Sequence, residues 1–104
     1  MDEQERVAAF VAANDLDCPP AYRLLDLAAE VGELAADANT ATGYGTNPAA
    51  LDVARDELGD ALFALLALCD ALGVDAGAAL NESLEKYESR LDKTGEAGSG
   101  GNGG

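Results

Sequence analysis

Nine consecutive residues of this chain, Ala61-Leu-Phe-Ala-Leu-Leu-Ala-Leu-Cys69, carry no polar side chain. Alanine and leucine dominate the run, and both are strong helix formers. It therefore predicts a helix that is apolar around its whole circumference, and such a helix is buried on all sides. Nine residues are too few to cross a bilayer, which takes about 20. The burial has to come from other protein segments, and the composition says of what kind. Apolar residues make up 48% of 104, mostly Ala and Leu, with five aromatics and no Trp. With β-branched residues scarce, the expectation is an all-α fold in one domain with one modest core.

The remaining segments support that reading. Asp2 to Ala13 carries Val7, Phe10 and Val11 at helical spacing with acids in the first turn, and Asn14 to Pro20 breaks it. A second helix is expected from Pro20 to Ala38, with Leu24, Leu27, Ala28, Val31, Leu34 and Ala35 as its apolar stripe. Asn39 to Asn47 reads as a loop by its Gly and small polar residues. Asn47 then caps a third helix, with Pro48 in its first position, running to Leu72 and stopped by Gly73. Asp75 caps a fourth helix to about Leu91, with Leu80, Leu84, Tyr87 and Leu91 on one face. Short connections between four helices predict a four-helix bundle over residues 1–94. From Gly95 to Gly104 six of ten residues are glycine, so this stretch is expected to be a disordered tail.

The formal net charge is −14, with only two Lys and four Arg. Such a surface repels nucleic acid polymers and anionic membranes, so neither is expected as a partner. Low lysine and high acid content resemble proteins adapted to a salty cytosol, where screening shortens self-repulsion. No signal peptide is visible, and a cytoplasmic location is the expectation. Cys18 and Cys69 read as unpaired, Cys69 as a small core residue. The absence of His, with only two Cys, excludes His-based catalysis and zinc sites.

Against that acidic background two pairs stand out by position: Glu30-Val-Gly-Glu33 and Glu57-Leu-Gly-Asp60. Members of each pair lie roughly 60° apart on a helical wheel, one turn along the axis. Asp26 and Asp37 share the sector of the first pair. On the second helix alone, a solvated acidic face accounts for this stripe. The second pair sits at the mouth of the apolar run, where carboxylates lose hydration and repel one another unless cations compensate them. Gly32 and Gly59 each cost roughly 1 kcal/mol within a helix, which a close approach of the two helices would explain. Antiparallel neighbours would bring four carboxylates around one pocket. Oxygen ligands without His or Cys select hard cations, Mg²⁺ first, Mn²⁺ second, Ca²⁺ third. Mg²⁺ works together with substrate phosphates, which suits phosphoanhydride hydrolysis.

Leu27-Ala-Ala-Glu-Val-Gly-Glu-Leu-Ala-Ala-Asp37 followed by Asp56-Glu-Leu-Gly-Asp-Ala-Leu62 resembles the MazG-like branch of the all-α nucleoside triphosphate pyrophosphohydrolases. The resemblance spans about residues 20 to 91. It implies that Glu30, Glu33, Glu57 and Asp60 bind Mg²⁺ and carry catalysis. It also implies that water converts a (deoxy)nucleoside triphosphate to monophosphate and pyrophosphate, in a house-cleaning role. The family's run opens with a further acid; here Ala29 stands in its place, which bears on a water-orienting role and leaves the four ligands. By the same likeness Lys86 and Arg90, one turn apart, contact phosphates, and Asn81 opens the last segment; as ordinary surface residues the two cations would pair with Glu82 or Glu85. Tyr44 could stack on a base or simply pin its loop. A homodimer or a homotetramer built from dimers is expected, because three short partners cannot cover the apolar perimeter of the third helix. The competing readings are a non-catalytic helical module that binds nucleotides or a partner protein, and a salt-adapted scaffold with no ligand.

Overall fold

A computed structural model describes residues 2–94; the expected tail from Gly95 lies outside the described residues. They form α1 (Asp2–Ala13), α2 (Pro20–Thr42), a 3₁₀ turn (Pro48–Ala50), α3 (Arg55–Leu72) and α4 (Ala76–Thr94), with no strand among them. The all-α class is as expected. The residues divide into two compact units, Asp2–Val74 and the segment from Asp75 onward.

In the first unit α3 packs against both α1 and α2. Val11 of α1 and Ala64, Leu66 and Ala67 of α3 are buried. At one end the Gln4 side-chain amide donates to the Val74 carbonyl at 2.7 Å. Further along, the Phe10 and Phe63 rings meet edge to face with centroids 6.0 Å apart. Chain order along these two contacts makes α1 and α3 antiparallel.

The apolar run at Ala61–Cys69 is not buried on all sides. Leu62 and Leu65 are 49% and 43% exposed, and Leu58 and Leu72 are exposed as well. Within the unit Asp2–Val74, α1 and α2 shield only the faces of α3 that they touch, and the rest of its circumference stays open.

Two helix boundaries differ from the sequence expectation. The second helix continues past Ala38 to Thr42, because Thr42 supplies its own ending. Its Oγ1 donates to the Ala38 carbonyl at 2.6 Å and accepts the Gly45 N–H at 3.0 Å. Gly43 then takes the left-handed conformation at φ 57°. A β-carbon at Gly43 would lie 2.8 Å from Thr46 Oγ1, so a side chain there is both strained and crowded. The third helix starts at Arg55, not at Pro48. Pro48 opens only a 3₁₀ turn, after which Leu51 and Ala54 are extended, with ψ of 131° and 138°. Neither Asn47 nor Ala54 caps through its side chain. Gly73 ends α3 in the left-handed region as expected.

Gly32 and Gly59 do not mark a close helix approach, since a β-carbon at either would meet nothing within 4 Å. Each lies two residues from an acid of its own helix, roughly 200° around the wheel from Glu30 and Glu57 respectively. They therefore face away from the α2–α3 contact.

The second unit is α4. Asp75 caps it as expected: its Oδ1 accepts the Ala78 N–H at 3.0 Å. That hydrogen bond holds the Asp75 carboxyl below the usual carboxylate range.

Candidate metal and nucleotide site

The acids of α2 and α3 face one another. Glu57 shares a side-chain hydrogen bond with Asp37, and it also feels the charges of Asp56 and Glu33. Glu30 shares one with Glu33 and feels Asp60 and Asp26. Residues later in α2 thus meet residues earlier in α3, so the two helices run antiparallel with a carboxylate row on each. Glu30 and Glu57 are half-buried; Asp26, Glu33, Asp37 and Asp60 are exposed. The arrangement begins in the spacing: Asp26, Glu30, Glu33 and Asp37 recur at alternating intervals of four and three, which keeps them on one side of α2.

Crowding like charges raises the cost of ionising them. The hydrogen bond with Asp37, with desolvation and neighbouring acids behind it, pushes Glu57 from 4.5 up to about 7. Desolvation first, then Glu33, Asp60 and Asp26, raises Glu30. Protons are therefore held where positive charge is missing, and a divalent cation would supply that charge instead. As a donor set the row fits a hard cation, being carboxylate oxygen throughout. As a geometry it is open: among the described residues no three Asp, Glu or Cys side chains are gathered as a metal cage. The acids meet in hydrogen-bonded pairs.

Asp37 was seen in the sequence only as part of the acidic stripe. The hydrogen bond to Glu57 gives it a direct place beside one of the four expected ligands, and the signal was its wheel position, shared with Glu30 and Glu33.

Arg23 was missed altogether. It begins the same spacing, three residues before Asp26 and seven before Glu30. Only 9% of it is exposed. Its Nη2 donates to the Leu16 carbonyl at 2.5 Å. Leu16 presents that carbonyl because α1 ends with Asp15 in the left-handed region, at φ 57°, which turns the chain back toward α2. With Asp26, Glu30, Asp60 and Phe63, Arg23 lines a cavity of about 250 Å³ at the α2–α3 contact. A larger, mostly apolar cleft of about 590 Å³ lies between α1 and α3, lined by Arg6, Phe10, Leu62, Phe63 and also Asp60. Asp60 and Phe63 thus border both spaces.

Of the expected substrate contacts, Tyr44 lies in the loop after α2 with φ 56° and 84% of its surface exposed. It lines neither cavity. Lys86 and Arg90 of α4 flank the Tyr87 ring, with Nζ 5.2 Å and Cζ 5.9 Å from its centroid. Asn81 is exposed on the same helix. No single helix among the described residues is long and apolar enough to cross a membrane.

Residues 20–94 match the family model of the MazG nucleotide pyrophosphohydrolase domain. No curated protein and no solved structure matches the chain.

Proposed function

Because the chain belongs to the MazG nucleotide pyrophosphohydrolase family, we propose that it hydrolyses (deoxy)nucleoside triphosphates, canonical or damaged, to monophosphate and pyrophosphate with Mg²⁺. Mn²⁺ is the alternative ion. The supporting observation is the antiparallel α2–α3 contact, which sets Glu30 toward Asp60 and Glu57 toward Asp37 and Glu33. Glu30, Glu33, Glu57 and Asp60 would hold the metal, all four through carboxylate oxygen. When bound, the ion neutralises phosphate charge and makes water easier to deprotonate.

The chain's own residues do the rest. A water oxygen bonds to the α-phosphorus as the bond from that phosphorus to the α–β bridging oxygen breaks. Pyrophosphate departs with the electron pair. The proton that water gives up goes to a carboxylate oxygen, and we assign that role to Asp37, the acid outside the four ligands that hydrogen-bonds one of them. Lys86, Arg90 and Asn81 are substrate contacts by family likeness, and Tyr44 is the candidate to stack on the base. The exposed leucines of α2 and α3 support a homodimer or a tetramer built from dimers, which would cover Leu24, Leu25, Leu58 and Leu62.

The experiment is hydrolysis of the eight standard nucleotides, with oxidised and methylated ones, in Mg²⁺ with products resolved. Monophosphate and pyrophosphate are expected. Release of orthophosphate and a diphosphate, or no turnover of any nucleotide, would contradict the assignment.

A further inference from the structure

Burying an arginine beside three acids without pairing it to them is costly, because guanidinium and carboxylates each lose hydration. Among the described residues Arg23 closes no ion pair; its hydrogen bond goes from one guanidinium nitrogen to the Leu16 carbonyl. It also sits in the first turn of α2, where the helix dipole disfavours a cation. Neither helix stability nor charge pairing accounts for it.

The cleft it lines explains the arrangement. Asp26, Glu30 and Asp60 border the same 250 Å³, so one small space offers carboxylates and a guanidinium side by side. A bare cation has no use for the arginine, and a bare anion is repelled by the acids. A phosphate that carries its own divalent cation satisfies both. We infer that Arg23 binds a phosphate of the metal–nucleotide complex, donating to non-bridging oxygens while Glu30 and Asp60, the two proposed ligands that border the same space, take the metal. The guanidinium suits this because its donors form a rigid fork, and one nitrogen held by the Leu16 carbonyl fixes where the others point. The α1–α2 connection therefore acts as the mount of a substrate-binding residue, and Asp15 and Leu16, which precede the family-matched region, contribute to the site through Arg23.

This inference rests on the α2–α3 contact being the nucleotide site, and the test separates the two. Calorimetric titration of the intact chain uses two probes, Mn²⁺ alone and Mn²⁺ with inorganic tripolyphosphate, against wild type, R23K and R23Q. R23Q is expected to weaken Mn²⁺–tripolyphosphate binding by roughly tenfold or more, the scale of one charge-assisted hydrogen bond. R23Q should bind Mn²⁺ alone at least as tightly as wild type, since a repelling charge has gone. R23K, which keeps the charge, should fall between. A structural role would lower both affinities together with the melting temperature, and that result overturns the inference. So does unchanged tripolyphosphate affinity in folded R23Q or R23K, or wild type that binds no Mn²⁺–tripolyphosphate. Arg23-dependent tripolyphosphate binding without hydrolysis of any nucleotide would sink the hydrolase assignment and leave this one standing. Wild-type kcat/KM in both variants would do the reverse.

Discussion

The two sides of α3 are built on opposite terms. Toward α1 it presents Phe63 and Leu66, and stability comes from ring contact and burial. Toward α2 it presents Glu57 and Asp60, where carboxylates face carboxylates and proximity costs free energy. A helix optimised only for folding would not set like charges against like charges, because each raises the cost of ionising the other. The acid side is therefore where the chain gives up stability, and sites that do so are where function is found.

That contrast can be broken at several points. Glu57→Gln or Asp60→Asn should lower turnover by roughly a hundredfold or more while helix content by circular dichroism stays at wild type. A variant lacking both acids that still hydrolyses nucleotides would end the distinction between the two sides. Leu66→Ala should do the opposite, removing about 2–5 kcal/mol of stability in urea denaturation while activity per folded molecule persists. Thr42→Val tests the clasp that ends α2, whose bonds involve neither side of α3. Losing the bonds to Ala38 and Gly45 should remove about 1–2 kcal/mol, measured the same way.

The smallest effect is the most diagnostic. Glu57 titrates near 7 in the folded chain against 4.5 as its ordinary value, so between those values the folded state binds the extra proton. Stability of the chelated protein must then fall as pH rises from about 4.5 to 7 and level off above. Its melting temperature should be higher at pH 5 than at pH 8. Glu57→Gln should flatten the slope, and a divalent cation should flatten it too by stabilising the ionised form. A slope unchanged in Glu57→Gln would remove the pairing with Asp37 from the account.

Legibility in the sequence followed the same division. Helix number, the Gly73 stop and the Asp75 cap were readable because each rests on local chemistry. The grouping of the acids on one side of each helix was readable too, because periodicity fixes it; that the two rows face each other rested on Gly32 and Gly59, which do not mark the contact. The ends of α2 and α3 were not readable, since Thr42 acts through a side-chain bond four residues back and Pro48 starts a turn that the chain does not extend. Gly32 and Gly59 misled because their cost suggests close packing, although the wheel that groups the acids turns both glycines away from them. Arg23 was hidden for a related reason: its spacing was visible, but its burial depends on the Leu16 carbonyl, which only the turn at Asp15 brings round. Leu62 and Leu65 stay exposed because, within the first unit, α1 and α2 touch other faces of α3.

The central claim is that α2 and α3 share one divalent charge. Anomalous diffraction from a crystal grown with Mn²⁺ and a non-hydrolysable nucleoside triphosphate tests it directly. The account predicts a manganese peak between the helices, coordinated by at least one carboxylate from Glu30 or Glu33 and one from Glu57 or Asp60. Manganese bound by acids of one helix alone, or nucleotide bound away from both rows, would contradict it.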